Sequence, residues 1–253
     1  MTASLAQLTA TFDRILEPAR FRDYAPNGLQ VEGRQQVKRL VSGVTACQAL
    51  VDAAIDAGAD AILVHHGYFW RGEAPVLTGM KRRRIAALLD ADISLFGYHL
   101  PLDAHPELGN NAMLAARLGI RSEGPLHPGD ASAVGNVGSL AAATPMSEFL
   151  ETVTHTLKRT PLHVGDATRK VQRIAWCTGG AQGYIEAAVA AGADLYLTGE
   201  ASEQTVHVAR EEGIEFVAAG HHATERYGVQ ALGEAVAEEL GLEHRFIDID
   251  NPV

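Results

Sequence analysis

Histidine residues directly follow three apolar segments of the sequence. The segments read AILVHHG at 61–67, LFGYHLPLD at 95–103 and FVAAGHHATE at 216–225. Because ligands of α/β sheets collect at the carboxyl ends of strands, we expect these polar side chains to share one rim. The candidate group is His65, His66, His99, Asp103, His221, His222 and Glu225. Imidazoles mixed with carboxylates, without nearby thiolates, favour Zn, Mn, Fe, Ni or Co, so the pattern predicts a metal site.

The spacing within this group adds detail to the predicted site. If the segment after Gly220 opens a helix, His221 and Glu225 stand four residues apart on one face of it. His222 then points away, into a supporting or substrate-facing position. The whole group holds more donors than one tetrahedral ion needs, so it suits a two-metal centre with open positions for water.

Two residues on the expected rim are candidates for proton transfer, His99 and Glu200. Glu200 follows the apolar run at 195–197 and precedes a predicted helix at 202–212. The alternative role for His99 is to orient Asp103 or a water molecule. The alternative for Glu200 is to cap that helix.

The other chemistry-bearing residues give weaker signals. The basic cluster Lys81–Arg84 is typical of a solvated helix face, with a phosphate-bearing ligand as the alternative. The segment TGGAQG at 178–183 resembles an anion cradle only weakly, because it matches neither of the common phosphate-binding motifs. Cys47 and Cys177 are interpreted as small buried hydrophobes. Surface or packing roles are expected for His105, His127, His155, His163, His207 and His244.

Short apolar runs alternate with Ala-rich stretches along the chain, which predicts an α/β fold. Strands are predicted at 40–44, 61–64, 93–98, 174–176, 195–197 and 216–219. Helices are predicted near the N-terminus and at 46–57, 81–91, 110–118, 146–157, 183–191, 202–212 and 227–240. The Gly-, Pro- and Ser-rich segment from Ser122 to Thr144 is the expected end of the first half.

An internal repeat relates the two halves. VDAAIDAGADAIL at 51–63 matches IEAAVAAGADLYL at 185–197 at seven of thirteen positions, with an offset of 134. HLPLD at 99–103 and HHATE at 221–225 both place an acid four residues after a histidine. The alternative is chance similarity between Ala-rich helices. We predict a duplication into halves 1–125 and 126–253, with the C-terminal segment packing back on the first.

Composition narrows the function classes. The 253 residues include 31 acidic and 21 basic side chains, a formal charge of -10 that opposes binding of nucleic acid and anionic membranes. The N-terminus lacks the features of a signal peptide, and no apolar run is long enough to cross a bilayer. Two cysteines make no disulfide framework. We therefore expect a cytoplasmic protein.

Several motifs together identify the chain as a member of the Nif-three-like family, whose bacterial members are called GTP cyclohydrolase I type 2 homologues. The motifs are DYAPNGLQVEG at 23–33, GVTACQALVDAAI at 43–55, ILVHHGYFW at 62–70, YHLPLDAHPELGNN at 98–111, AWCTGGAQG at 175–183, LTGEASEQTVH at 197–207 and AGHHATER at 219–226. They span nearly the whole chain. The sequence resembles the short form, which lacks the inserted domain of longer members.

This resemblance implies two similar, interleaved α/β domains with a dinuclear metal site in the cleft between them. It also implies a ring-shaped homohexamer, a toroid, with its metal sites facing the interior. The family's ligands fall on the following residues, none of which departs from the family pattern: His65, His66, Asp103, His221 and Glu225. Two divalent ions per chain are expected, with Fe, Mn, Zn, Ni and Co as candidates.

The expected function is a metal-dependent hydrolase. Water acidified by the metals would attack an electrophilic carbon, as in GTP cyclohydrolase-type opening of a purine ring, while Glu200 or His99 moves protons. The substrate would be a small molecule, with a nucleotide as the candidate. The alternative is a metal-binding regulatory or metal-chaperone ring protein without catalysis. A nucleic-acid-binding ring is disfavoured by the charge.

Overall fold

Strands of apolar residues alternate with amphipathic helices and build two α/β units. The computed structural model describes residues 1–129 and 133–253. The first unit comprises Met1–Leu102 and Val229–Asp250, and the second comprises Asp103–Gly228 and Asn251–Val253.

The elements run along the whole chain. The strands are β1 (Ala3–Ser4), β2 (Gly28–Val31), β3 (Gln36–Val37), β4 (Arg39–Thr45), β5 (Ala61–His66), β6 (Ser94–Gly97), β7 (Arg121–Pro125), β8 (Asn136–Pro145), β9 (Leu162–Val164), β10 (Lys170–Trp176), β11 (Leu195–Thr198), β12 (Glu215–Ala218) and β13 (Glu243–Phe246). The helices are α1 (Leu5–Leu16), α2 (Gln48–Asp56), α3 (Gly79–Asp90), α4 (Leu100–Ala104), α5 (Asn110–Leu118), α6 (Met146–Leu157), α7 (Ile185–Ala190), α8 (Glu203–Glu212) and α9 (His221–Leu240). Single 3₁₀ turns lie at Pro18–Arg20 and Gln182–Tyr184.

The first unit is built on a five-stranded sheet in the order β13-β4-β5-β6-β2. The neighbours β13, β4, β5 and β6 run parallel, and β2 closes one edge antiparallel to β6. Val41 and Ile62 point to the face covered by α2 and α3. On the opposite face, the ring of Phe12 from α1 lies 5.1 Å from that of Phe96. Both faces of the central strands are therefore buried, as expected for parallel sheets.

The second unit is built on a six-stranded sheet in the order β7-β8-β10-β11-β12-β9. Its central strands β10, β11 and β12 run parallel, while β8 and β9 join them antiparallel. Alternate residues of these strands enter two apolar clusters. Leu195 and Leu197 pack with α5 and α6, whereas Tyr196 packs with α7 and α8. This alternation follows from the two-residue period of a strand and encloses the sheet on both faces.

The predicted α/β class is confirmed, and each predicted strand and helix forms. The helices at 110–118 and 146–157 have the predicted bounds. The last helix begins at His221 rather than at residue 227.

The expected boundary between the halves differs from the compact units. Apart from residues 130–132, which lie outside the described residues, much of the Gly- and Pro-rich segment at 122–144 forms the antiparallel pair β7 and β8. Gly124 and Pro125 are tolerated there because β7 is an edge strand. The units therefore divide inside α4 and α9, not at 125/126. The last strand, β13, pairs with β4 of the first unit.

Across residues 1–129 and 133–253, the search for membrane-spanning helices finds none that is long and apolar enough to cross a bilayer.

Candidate functional site

Three histidines gather at the carboxyl ends of two parallel strands in the first unit. His65 and His66 end β5, and His99 lies two residues after the end of β6. One ligand atom from each ring lies within 4.8 Å of those from the other two. His65 and His99 are buried and His66 is half-buried. This group could hold a metal ion, because imidazole nitrogen is a common ligand of divalent transition metals.

Each of these rings is oriented by a hydrogen-bonding neighbour at its Nδ1 atom. His65 Nδ1 donates to the backbone oxygen of Tyr98 at 2.9 Å. The hydroxyl of Thr45 lies 3.2 Å from His66 Nδ1. When Nδ1 of a neutral imidazole carries the proton, the lone pair resides on Nε2, so the carbonyl contact of His65 selects the tautomer that ligates through Nε2.

Asp23 is the residue of this group that sequence reasoning missed. Its Oδ1 accepts a hydrogen bond from His99 Nδ1 at 2.9 Å, and its Oδ2 accepts one from the backbone N–H of Leu100 at 2.9 Å. The Asn27 side chain binds the same carboxylate at 3.0 Å and accepts from the backbone N–H of His99 at 2.7 Å. Asp23 and Asn27 therefore hold the start of the HLPLD segment from a distant part of the chain.

The environment of Asp23 favours its ionised form. Burial raises the pKa of this carboxyl, but hydrogen bonds from His99 and Asn27 outweigh burial and hold the pKa well below its usual range. The only sequence signal for Asp23 is its place in the DYAPNGLQVEG motif.

The second unit carries a histidine and carboxylate group at the start of α9. The helix begins at His221, which meets the condition for His221 and Glu225 to share a helix face, and the Nε2 atom of His221 lies 3.3 Å from Glu225 Oε2 one turn later. On its other side, His221 Nδ1 donates to Glu200 Oε1 at 2.7 Å. Burial lowers the pKa of His221, but the two carboxylates outweigh burial and raise the pKa to about 9. The ring is therefore protonated at neutral pH in the metal-free chain.

Asp103 belongs to the same unit and is fixed by several side chains. Asn110 Nδ2 donates to its Oδ1 at 2.8 Å, and the Thr178 hydroxyl donates to that atom at 3.3 Å. Burial raises the pKa of the nearby Cys177 thiol, and the negative charges of Asp103 and Glu225 raise it further. Cys177 is thus a buried neutral thiol, in agreement with its interpretation as a small hydrophobe.

The TGGAQG loop lies against the carboxylates of this group. Gly179 has a φ of +70°, and a Cβ atom there would overlap the Glu225 carboxylate. A Cβ atom at Gly180 would lie 3.4 Å from Glu200 Oε2. The anion cradle stays a weak prediction, since two carboxylates face the loop. The loop gives the carboxylates room, which only glycine provides at Gly179.

The alternative role of Glu200 as a helix cap is wrong. The side chain of Ser202 caps α8, accepting a hydrogen bond from the backbone N–H of Thr205 at 3.2 Å. Glu200 instead contacts His221 and, at 3.4 Å, the side-chain amide of Gln182. His222 is buried, and its backbone N–H donates to the oxygen of Val253 at 3.0 Å.

Three of the remaining predicted residues have partners within the fold: Lys81, His163 and His244. Lys81 Nζ lies 3.2 Å from Glu73 Oε2 and 4.8 Å from the centre of the Phe69 ring, so the first residue of the basic cluster is engaged within the fold. His163 donates to the buried Glu215 at 2.7 Å, and His244 lies 2.8 Å from the Ser42 hydroxyl. These contacts fit the packing roles expected for the two histidines.

Comparisons with known proteins agree with this architecture. The family model Duf34/NIF3 (NGG1p interacting factor 3) matches residues 3–252. A Pseudomonas aeruginosa protein named GTP cyclohydrolase 1 type 2 homolog is 60% identical over 252 residues, covering 100% of both chains. Among solved structures, protein ybgI is 52% identical with a TM-score of 0.95, covering 99% of this chain and 100% of the other. The crystal structure of TTHA1606 from Thermus thermophilus is 31% identical with a TM-score of 0.89 and the same coverage. This chain belongs to the Duf34/NIF3 family.

Proposed function

We propose that this protein is a hydrolase that depends on divalent metal ions. The observation that carries the proposal is the group of His65, His66 and His99, whose ligand atoms lie within 4.8 Å of one another at the ends of β5 and β6. Three imidazoles brought together at strand ends, two of them buried, are uncommon unless they bind a ligand that needs nitrogen donors.

The donor set fits transition metals. We assign two divalent ions per chain to five ligands, and the candidates for their identity are Fe, Mn, Zn, Ni and Co. The buried, neutral thiol of Cys177 is not a ligand in this assignment. The carboxylates supply the oxygen donors that a pair of ions needs for bridging. The proposed ligands are His65, His66, Asp103, His221 and Glu225.

The proposed chemistry is attack of water on an electrophilic carbon. What the ions supply is Lewis acidity, which lowers the pKa of a water molecule at the site. Glu200 and His99 move protons to and from the reacting groups. Each is held by a second titratable side chain, Glu200 by His221 at 2.7 Å and His99 by Asp23 at 2.9 Å. The name of the Pseudomonas aeruginosa relative suggests GTP as a first substrate, opened at its imidazole ring with release of formate.

We also propose that the two units arose by duplication. The repeat at 51–63 and 185–197 coincides with matching helix ends in the two units. Gly58 and Gly192 both adopt positive φ, +66° and +67°. The next residue in each copy donates a backbone hydrogen bond to the helix, from Ala59 to Ala54 at 3.0 Å and from Ala193 to Ala188 at 3.1 Å.

The assembly expected from the family resemblance, a homohexameric ring, remains part of the proposal.

Elemental analysis of anaerobically purified protein tests the metal assignment. We expect two metals per chain in the wild type and a large loss of metal in His65→Ala and in Asp103→Ala, because the proposal assigns both residues as metal ligands. His207→Ala is the matched control, since that imidazole is 60% exposed and lies on α8. Full metal content in both ligand variants would refute the assignment.

Turnover of the metal-replete protein tests the hydrolase proposal separately. Formate release from GTP, together with a panel of nucleotides, amides and phosphoesters, should identify a substrate, and Glu200→Ala should reduce its turnover. Another outcome is that the metal-replete protein hydrolyses nothing in the panel, while a pull-down with it recovers a partner that Glu200→Ala also binds. This outcome would favour the metal-chaperone or regulatory alternative.

A further inference from the structure

Exposed aromatic side chains lie at and near the three-histidine group of the first unit: Tyr24 contacts His99, and Phe69 directly precedes Trp70 in the chain. Within residues 1–129 and 133–253, Tyr24 and Phe69 are the aromatic residues that remain exposed, at 51% and 41%. The ring of Tyr24 meets that of His99 edge-on, with centroids 4.9 Å apart. Exposed aromatic surface is costly in water, so its confinement to the neighbourhood of the candidate metal group indicates binding.

Trp70 completes this aromatic surface. Its ring lies 5.6 Å from Tyr24, 5.0 Å from His99 and 5.9 Å from His66, measured between centroids. The indole therefore contacts both the exposed tyrosine and two of the clustered imidazoles. We refer to Tyr24 and Trp70 as the aromatic pair.

Hydrogen bonds hold the aromatic pair in place. The backbone N–H of Arg71 donates to the oxygen of Tyr24 at 2.8 Å, and the guanidinium of Arg71 donates to the oxygen of Asp23 at 3.0 Å. Trp70 Nε1 donates to the oxygen of Gly67 at 3.1 Å. Phe69, which directly precedes Trp70 in the chain, adopts a φ of +66°, a conformation that bulky side chains rarely adopt. Strain retained in a loop that is tied down this firmly points to function.

We propose that the aromatic pair binds the planar heteroaromatic ring of the substrate, of purine type, by stacking. The inference rests on the proposed hydrolase function and names the part of the substrate that the protein recognises. Insertion between the two rings would need about 7 Å, twice the contact distance of carbon atoms, so 5.6 Å excludes it. The substrate ring therefore stacks on the exposed surface of Tyr24, the ring that contacts His99.

Tryptophan fluorescence gives a direct test, because the chain has two tryptophans and Trp176 is fully buried. In the full-length Trp176→Phe variant, Trp70 is the only indole reporter. We expect guanosine to quench its emission saturably, whereas ribose 5-phosphate, which lacks the base, does not. Tyr24→Ala should weaken guanosine binding about 5- to 150-fold, the range expected for one lost base–aromatic stack. Tyr24→Phe keeps the ring and should bind within about twofold of its parent.

Three results would overturn the inference: no guanosine binding, equal binding of ribose 5-phosphate, or unchanged affinity in Tyr24→Ala. If Tyr24→Ala changes the sedimentation coefficient but not the affinity, the exposed rings contact another chain instead. Equilibrium dialysis of labelled guanosine with Tyr24→Ala and Tyr24→Phe, which keep Trp176, replaces fluorescence if Trp176→Phe misfolds. Metal analysis of the same samples separates the two proposals. If the wild-type protein holds its metal but binds guanosine no better than ribose 5-phosphate, the stacking is contradicted and the metal assignment is not.

Discussion

The two units build the same parallel β-α-β frame but place different chemistry at its strand ends. In the first unit, Asp60 Oδ2 accepts hydrogen bonds from the backbone N–H groups of Lys38 and Arg39 at 2.8 and 2.9 Å. In the second unit, Asp194 Oδ2 accepts the corresponding bonds from Gln172 and Arg173 at 2.9 and 2.8 Å. All three pairs of positions are separated by 134 residues. The same side-chain hydrogen bonds therefore join one strand to the turn before the next strand in both units.

At the other end of the strands, the same offset joins unlike residues. His66 corresponds to Glu200, and Thr45 corresponds to Gly179. In the first unit, the Thr45 hydroxyl contacts the His66 ring at 3.2 Å. In the second unit, Gly179 leaves space that the Glu225 carboxylate occupies. The comparison teaches that the frame and the chemistry are carried by separate positions, so substitutions at the two ends should have different consequences.

The largest expected effect comes from adding a methyl group at Gly179. Gly179→Ala would strain a positive φ and force the buried Glu225 carboxylate to move, and we expect a loss of about 4 kcal/mol of unfolding free energy. Gly213→Ala is the control, because Gly213 also has a positive φ of +68° but nothing lies within 4 Å of the added atom. It should cost about 1 kcal/mol. Equal losses in urea unfolding would show that the second unit tolerates a residue with Cβ here, as the first does at Thr45.

The repeated aspartates should differ in how much they stabilise. Asp60 is buried and also binds the Arg34 guanidinium at 2.8 Å, whereas Asp194 is exposed. Asp60→Ala leaves two backbone N–H groups and a cation without their acceptor, and we expect a loss of about 3 kcal/mol. Water replaces the lost acceptor more easily at Asp194, so Asp194→Ala should cost about 1 kcal/mol. Thermal or urea unfolding of the two variants measures the difference, and the reverse order would contradict it.

The parts of this structure that the sequence reveals are those carried by local spacing. Apolar periodicity located the helices at 110–118 and 146–157, and the four-residue spacing of His221 and Glu225 predicted their contact, because neighbours on a helix are set by its pitch. The histidines of β5 and the end of β6 were found because apolar runs precede them directly.

The parts that the sequence does not reveal depend on distant or compensating partners. Asp23 binds His99 from 76 residues away, and no local pattern links the two. Glycine and proline near residues 124–125 suggested a boundary between halves, yet the chain there forms an edge strand, where both residues are tolerated.

The carboxylate of Asp23, which holds His99 in the first unit, makes the stability of the fold depend on pH. The pKa of Asp23 is lowered in the folded chain, so its ionisation stabilises the fold above its unfolded pKa of 3.8, and that stabilisation is lost as the pH falls through the lower folded value. We expect Asp23→Asn to cost about 2 kcal/mol at pH 6 and less at pH 3. The exposed Asp90 on α3 supplies the control, and Asp90→Asn should change little at either pH. A deficit of Asp23→Asn that stays constant between pH 6 and pH 3 would contradict the role assigned to this carboxylate.

The smallest expected effect tests the difference between the two units at the strand ends, where Thr45 corresponds to Gly179. Thr45→Val keeps the shape of the side chain but removes the hydroxyl beside His66 Nδ1, so stability should change by no more than about 0.5 kcal/mol. If His66 is a metal ligand as proposed, losing the group that orients its ring should weaken metal binding about tenfold, measured by competition with a chelator. Thr154→Val removes a hydroxyl bonded only within α6 and should leave metal affinity unchanged. Because Gly179 offers no side chain to the equivalent position, only the first unit can respond in this way, and unchanged affinity in Thr45→Val would place the orientation of His66 elsewhere.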